Sequence, residues 1–207
     1  MKVISVSRYK GTTFQAVLDD GRTLYLHSDI IADFSVRPEM EINTDELKKI
    51  VYASNFRRAF QRALFLLDYR DYSSAEMLEK LTATYKSEKL CSAVIKKLTD
   101  NGLINDRRFA ERLAQKLVET KKYGYRRAKR EIMQKGIDKF TADDALSPYS
   151  EMYSENIMHL LKTKHSRWLT DESDRKNIEK VKNALVRYGY DFTEINLAVK
   201  DYFEEDN

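Results

Sequence analysis

The sequence predicts a mainly α-helical protein: three tandem three-helix repeats behind a small N-terminal β-hairpin or three-stranded extension. Three observations carry this. Glycine and proline are sparse, at 6 and 2 in 207 residues, which favours long helices joined by short connections. The apolar period is near two over roughly the first forty residues and becomes helical from Asn43 onward. Finally, IMQKGIDKFTADDAL (132–146) and LVRYGYDFTEINLAV (185–199) can be laid over each other with one inserted residue, the mark of an internal repeat.

In chain order, VISVSRY, TFQAVLDD and RTLYLH are short β-prone runs. Asp20-Gly21, between the last two, signals a hairpin, because a tight mirror-type turn needs positive φ. A meander this small is marginal alone and is expected to pack on the next segment of the chain. SDIIADF (28–34) reads as a short helix capped by Ser28. TDELKKIVYASNFRRAFQRALFLLDYRD (44–71) opens with an N-cap and acids in its first turn. It places Leu47, Val51, Ala63, Leu64 and Leu67 on one stripe, with a break near Ser54. Ser73 with Glu76 three residues on is a capping box for the next helix. SEKLCSAVIKKLTDNG then buries Leu90, Val94, Ile95 and Leu98 and ends at Gly102 in a C′ position.

A second triplet comes next in NDRRFAERLAQKLVETKK (105–122), GYRRAKREIMQKG and DKFTADDAL. After Pro148 the plan starts again with YSEMYSENIMHLLKTK, DRKNIEKVKNALVRYG and DFTEINLAVKDYFEE. The expected boundaries are 1–42 for the extension with its short helix, then 43–104, 105–148 and 149–207 for the repeats.

Composition excludes several classes. With 42% hydrophobic and 34% charged residues, the chain reads as soluble and globular rather than disordered. No run of about eighteen apolar residues indicates a membrane span, and MKVISVSRYKG lacks the apolar middle of a secretion signal. A cytoplasmic location is therefore expected. Cys91, the only cysteine, sits beside a helical apolar stripe and reads as a small hydrophobe. His27, His159 and His165 are scattered, with no HExxH or paired Cys/His spacing and no GxxxxGK[ST] loop. Asp143-Asp144 and Asp171-Glu172 are conceivable ligands of a metal-dependent nuclease. Asp143-Asp144 comes after Thr141 at a helix start, however, where acids serve the helix dipole. No catalytic residue, metal or cofactor is expected. Trp168, after KTKHSR, could stack on a base, but packing is its commoner use.

The charge is uneven. The net charge is +4, yet between Arg107 and Lys135 eleven Lys or Arg face three Glu, a net of +8. The eleven are Arg107, Arg108, Arg112, Lys116, Lys121, Lys122, Arg126, Arg127, Lys129, Arg130 and Lys135. From Asp191 to Asn207, six acids face Lys200 alone. Such polarity suits an acidic partner for the middle of the chain. On a wheel at about 100° per residue with Ala128 at zero, Ile132 and Tyr125 fall at roughly 40° and 60°, a core-facing stripe. Arg126, Arg130 and Arg127 fall on the opposite side, at roughly 160°, 200° and 260°. A solvated helix face is the plain reading of these arginines. The basic residues on the preceding helix and turn, with Tyr123 and Tyr125 between them, favour a binding surface for phosphates or carboxylates.

At these joints the sequence resembles the RecX family, the regulators of the RecA recombinase. The resemblance rests on four segments in order. Arg70, Ser73, Glu76, Met77, Lys80 and Leu81 carry the first. Val94, Ile95, Leu98, Gly102, Ile104, Asp106, Phe109 and Ala110 carry the second. Gly124, Arg127, Glu131, Lys135, Gly136 and Ile137 carry the third, and VLDDGRTLYLHSDIIADFSV resembles the hairpin extension of longer members. Three places depart from the family pattern: Tyr125 stands where proline is common, Ala128 where a larger aliphatic is usual, and Arg37-Pro38-Glu39 where a glycine-containing turn is typical. The resemblance implies a curved, elongated array of three-helix repeats that inserts into the groove of a RecA–DNA filament. It implies inhibition of RecA recombinase, ATPase and co-protease activities without catalysis, a place in DNA repair, recombination and the SOS response, and a monomer. The basic surface would meet RecA, single- or double-stranded DNA, or both. The hairpin fits two roles, a second contact surface or a cap on the repeats. A general helical DNA-binding protein of helix-turn-helix type is the alternative, and it lacks a recognition helix that opens with base-reading Asn or Gln.

Overall fold

The computed structural model describes residues 1–205. Strands β1 (Val3–Lys10), β2 (Thr13–Leu18) and β3 (Thr23–His27) form an antiparallel meander in that order. The Asp20-Gly21 connection differs from the expected mirror-type turn. Gly21 N–H donates to Leu18 O (3.1 Å) and Leu18 N–H to Arg22 O (2.9 Å), and of the loop residues Gly21 alone has positive φ, at +86°. This is a three-residue loop closed by one left-handed glycine. On the other edge of β1, Val3 N–H donates to Met40 O (2.9 Å) and Ile42 N–H to Met1 O (2.7 Å). Pro38 precedes Glu39, which takes the left-handed φ (+69°) that a glycine would adopt without strain.

Helix α1 (Ser28–Asp33) continues from β3 without a loop. Its cap is His27 rather than Ser28: the Nδ1 of His27 accepts the Asp29 N–H at 3.1 Å. The last extended residue of the strand already has the backbone that an N-cap needs. Helix α2 (Thr44–Leu67) is capped by Asn43 in a full box with Glu46. It runs unbroken through Ser54 and stops at Leu67, short of the expected Asp71. Its buried side chains are Leu47, Ile50, Ser54, Ala59 and Ala63, while Val51 is 37% exposed. The stripe is therefore rotated from the expected one, because the sheet covers the Ile50 side. As anticipated, the meander does not stand alone: Val3, Ala16, Leu18, Leu26, Ile30 and Ile42 share one core with Leu47 and Ile50.

Helices α3 (Ser74–Tyr85) and α4 (Glu88–Asp100) complete the first triplet. Cys91 is fully buried on α4 beside Leu90, Val94 and Leu98, as a small hydrophobe would be, while Ile95 is only half-buried. The Ser73 hydroxyl accepts the Glu76 N–H (3.1 Å) at the start of α3, and Gly102 comes after α4 with φ +68°.

Two compact units are distinguishable. Met1–Asp71 with Met77–Leu103 make the first, and Tyr72–Glu76 with the chain from Ile104 on make the second. The second unit contains α5 (Asp106–Gln115), α6 (Tyr125–Met133), α7 (Lys139–Leu146), α8 (Met152–Leu160), α9 (Arg175–Tyr188) and α10 (Phe192–Glu205). Their apolar faces meet in one continuous core that includes Ala110, Ala114, Ala128, Ile132, Leu160, Leu185 and Ile195. The expected helix 105–122 ends early as an α-helix, and Lys116–Thr120 form a π turn; α8 likewise runs into a π turn at Leu161–His165. At the first of these, Lys121 N–H donates to Lys116 O (3.1 Å) and Lys122 turns to φ +55°. The carbonyl of Val118 thereby loses its helical partner, and the side chain of Asn156, 2% exposed, donates to it at 3.1 Å.

The two joints that matched in sequence match in structure. Gly136 (φ +78°) and Gly189 (φ +96°) end α6 and α9. Asp138 then accepts the N–H groups of Phe140 (2.9 Å) and Thr141 (3.1 Å), and Asp191 that of Thr193 (2.9 Å). Asp138 is thus the cap of α7. Asp143, placed at a helix start by the sequence reading, lies inside α7 and has another job. Among the described residues no helix is long and apolar enough to cross a membrane.

Candidate partner-binding surface

The basic segment spans α5, its π turn and α6. Helix α5 is capped by Asn105, whose side chain accepts the Arg108 N–H (2.9 Å). It buries Ala110 and Ala114, which leaves Arg107, Arg108, Arg112 and Lys116 exposed. Helix α6 has no side-chain cap. Its cap comes from another helix end: Gly124 N–H donates to Tyr188 O (2.9 Å) and Arg126 N–H to Gly189 O (3.1 Å). The orphan donors at the start of α6 are thereby matched with orphan acceptors at the end of α9. Only glycine permits this approach. A Cβ on Gly124 would lie 2.6 Å from the Gly189 carbonyl, and one on Gly189 would lie 2.4 Å from the Arg127 amide nitrogen.

This docking decides where each arginine goes. Ala128 and Ile132 are fully buried, as the wheel requires, but Tyr125 is 40% exposed. Tyr125 occupies the first helical position, where the α9 turn fills the core side, and its hydroxyl donates to Asp143 (2.6 Å). Lys129 also reaches Asp143 (2.5 Å). The Lys129 ammonium first, and the Tyr125 hydroxyl second, hold the Asp143 carboxyl below its usual range; Asp143 in turn raises Lys129. Arg127 is not on an open face. Its guanidinium lies 3.9 Å from the Tyr123 ring centroid and 6.0 Å from that of Tyr188, and donates to Arg187 O (3.2 Å). Tyr190, fully buried, ties the same corner by donating to Lys122 O (2.7 Å).

Several of the eleven basic residues already have acidic neighbours. Arg126 pairs with Asp191, Arg107 with Glu111 (3.1 Å), Arg127 with Glu131 (3.8 Å) and Lys135 with Glu76 (3.0 Å). The Asp191 carboxyl sits below its usual range chiefly through the Thr193 N–H, with Arg126 a smaller contributor. Lys121 lies 5.5 Å from the Tyr123 ring centroid. Arg108, Lys116 and Arg130 are exposed and make no ion pair among the described residues. The sequence could not distinguish these groups, because Glu76, Asp143 and Asp191 lie far away in the chain. Trp168 is partly buried against the core, and Lys180 Nζ stands 3.6 Å from its ring centroid.

Residues 105–146 match the family model described as "RecX, second three-helix domain". The chain is 28% identical over 176 residues to "Regulatory protein RecX" of Clostridioides difficile strain 630, which covers 84% of this chain and 82% of that protein. The protein of the same description from Bacillus subtilis strain 168 is 28% identical over 207 residues, covering 99% and 77%. The family model, these relatives and the solved structures all support the RecX family. Among solved structures, "Crystal structure of RecX from Lactobacillus salivarius" superposes with a TM-score of 0.67 at 28% identity, over 72% of this chain and 97% of that one. "Crystal structure of regulatory protein RecX" has the same fold at a TM-score of 0.76 and 21% identity, over 97% and 98%. The RecX domain model thus takes in α5, α6 and α7, and with them the whole basic segment.

Proposed function

We propose that this RecX-family chain is a non-catalytic, cytoplasmic regulator of DNA repair and recombination. It binds the RecA–DNA filament as a single chain and inhibits RecA recombinase, ATPase and co-protease activities. The observation that carries this reading is the set of exposed cations on α5, its π turn and α6 that make no ion pair among the described residues, Arg108, Lys116 and Arg130, within a stretch that matches a RecX domain. Polyanionic filaments recruit such cations by releasing counterions. The other eight basic residues belong to the same surface, with Arg126, Arg127 and Lys129 holding its shape. We take 1–42 as the extension and 43–104, 105–148 and 149–207 as three repeats, the second being the basic one.

The test is single-stranded-DNA-dependent ATP hydrolysis and strand exchange by RecA with this protein titrated in. Inhibition at stoichiometric levels is the expected result, and its absence would sink the proposal. Sequence-selective duplex binding without any effect on RecA would instead favour a general DNA-binding regulator.

A further inference from the structure

In the second unit, α8 and α10 enclose a groove of roughly 470 Å³. Its floor is apolar, formed by Met158, Leu197 and Ala198, and Leu197 is 62% exposed. Its rim is acidic, formed by Glu155, Glu194 and Asp201, with His159 beside them. Among the described residues Glu155 and Asp201 make no ion pair, and Glu194 accepts the Asp191 N–H (3.1 Å). The carboxylates around α6 are different, since Glu131, Asp143 and Asp191 each hold a cation. An apolar floor rimmed by uncompensated carboxylates fits a basic segment that carries one exposed apolar side chain.

This chain displays such a segment. On α6, Arg130 is exposed without an ion pair among the described residues, and Met133, three residues on and so on the same helix face, is 43% exposed. We propose that the α8–α10 groove receives the α6 face of a second copy of this chain, with Met133 over the apolar floor and Arg130 among the rim carboxylates. Groove and face are different patches, so the contact is heterologous and joins copies head to tail. It also covers Arg130, so the assembled form withholds part of the basic surface from any other partner. Only this last consequence rests on the preceding functional reading; the self-association does not.

Sedimentation velocity of the full chain, at about 50 mM and about 500 mM salt, tests it without any partner present. Concentration-dependent association is expected at low salt and its loss at high salt. Asp201→Lys spoils the groove and Arg130→Glu spoils the face, and each should weaken association by about tenfold or more. Mixed one to one, these two variants retain one good groove and one good face between them, and should associate where neither does alone. Glu155→Lys provides an independent groove variant, and circular dichroism checks that all three fold. A wild-type chain that stays monomeric at both salts, single variants that associate as wild type does, or a mixture that fails to pair would each overturn the proposal. None of these outcomes touches the RecA assay.

Discussion

Gly124 and Gly189 meet backbone to backbone, with 2.6 Å between the Gly189 carbonyl and the place where a Cβ on Gly124 would stand. The contact joins the start of the basic helix to the end of α9 through two amide–carbonyl bonds. Gly124→Ala should therefore cost about 2–4 kcal/mol, the sum of two hydrogen bonds and a backbone shift. Gly189→Ala should cost more, since its φ of +96° adds about 1 kcal/mol for any L side chain. Urea denaturation followed by circular dichroism reads both, and an unchanged midpoint in either would contradict the described docking.

Asn156 is buried to bond one carbonyl. Replacing it with leucine leaves Val118 O without that partner at the π turn, which should cost about 1–3 kcal/mol. Thermal unfolding measures the loss. Asn156→Asp should be at least as damaging, because a buried carboxylate repels the carbonyl it faces.

The arginines should separate by role. Arg108→Ala with Arg130→Ala should weaken partner binding and flatten its salt dependence while leaving the unfolding midpoint almost unchanged. Arg126→Ala with Arg130→Ala should do the same, with a small further loss from the pair with Asp191. Arg127→Ala should lower stability, because it empties the slot between Tyr123 and Tyr188. Equal effects of all these variants on binding and on folding would erase the distinction.

His165 offers a pH signature. Burial first, and Lys164 and Arg167 second, depress its pKa below the usual 6.5, and its Nε2 is buried without a hydrogen bond. The folded form thus prefers the neutral ring. Its contribution to stability is therefore intact above about pH 6.5 and declines as pH falls from there through the folded-state value. His165→Leu should flatten stability measured between pH 7 and 5, and a slope equal to wild type would remove His165 as its source.

Local rules made much of this fold legible. The meander, the Ser73 start, the buried Cys91 stripe and the repeated Gly-x-Asp joints all depend on neighbours within a few residues, whereas the cap of α2 is Asn43, one residue before the expected one. Rotations and endings were less legible. Val51 and Ile50 differ by one step of the wheel, and only the sheet decides which faces inward. The π turn after Gln115 leaves no local signature, because what stabilises it is Asn156 from another helix. The same holds for the candidate surface. Arg126, Arg127 and Arg130 are alike in sequence, and they part company through Asp191 and Tyr188, while Arg130 has no ion pair among the described residues.

The capping of α6 by α9 also sets an order of events during synthesis. The basic helix leaves the ribosome long before Tyr188 and Gly189 exist to accept its first amides, and short uncapped helices are marginal in water. A nascent or prematurely terminated chain would carry all the cations of residues 107–135 yet lack the frame that aims them. Completion of the last helices therefore decides where α6 begins and how its arginines are aimed.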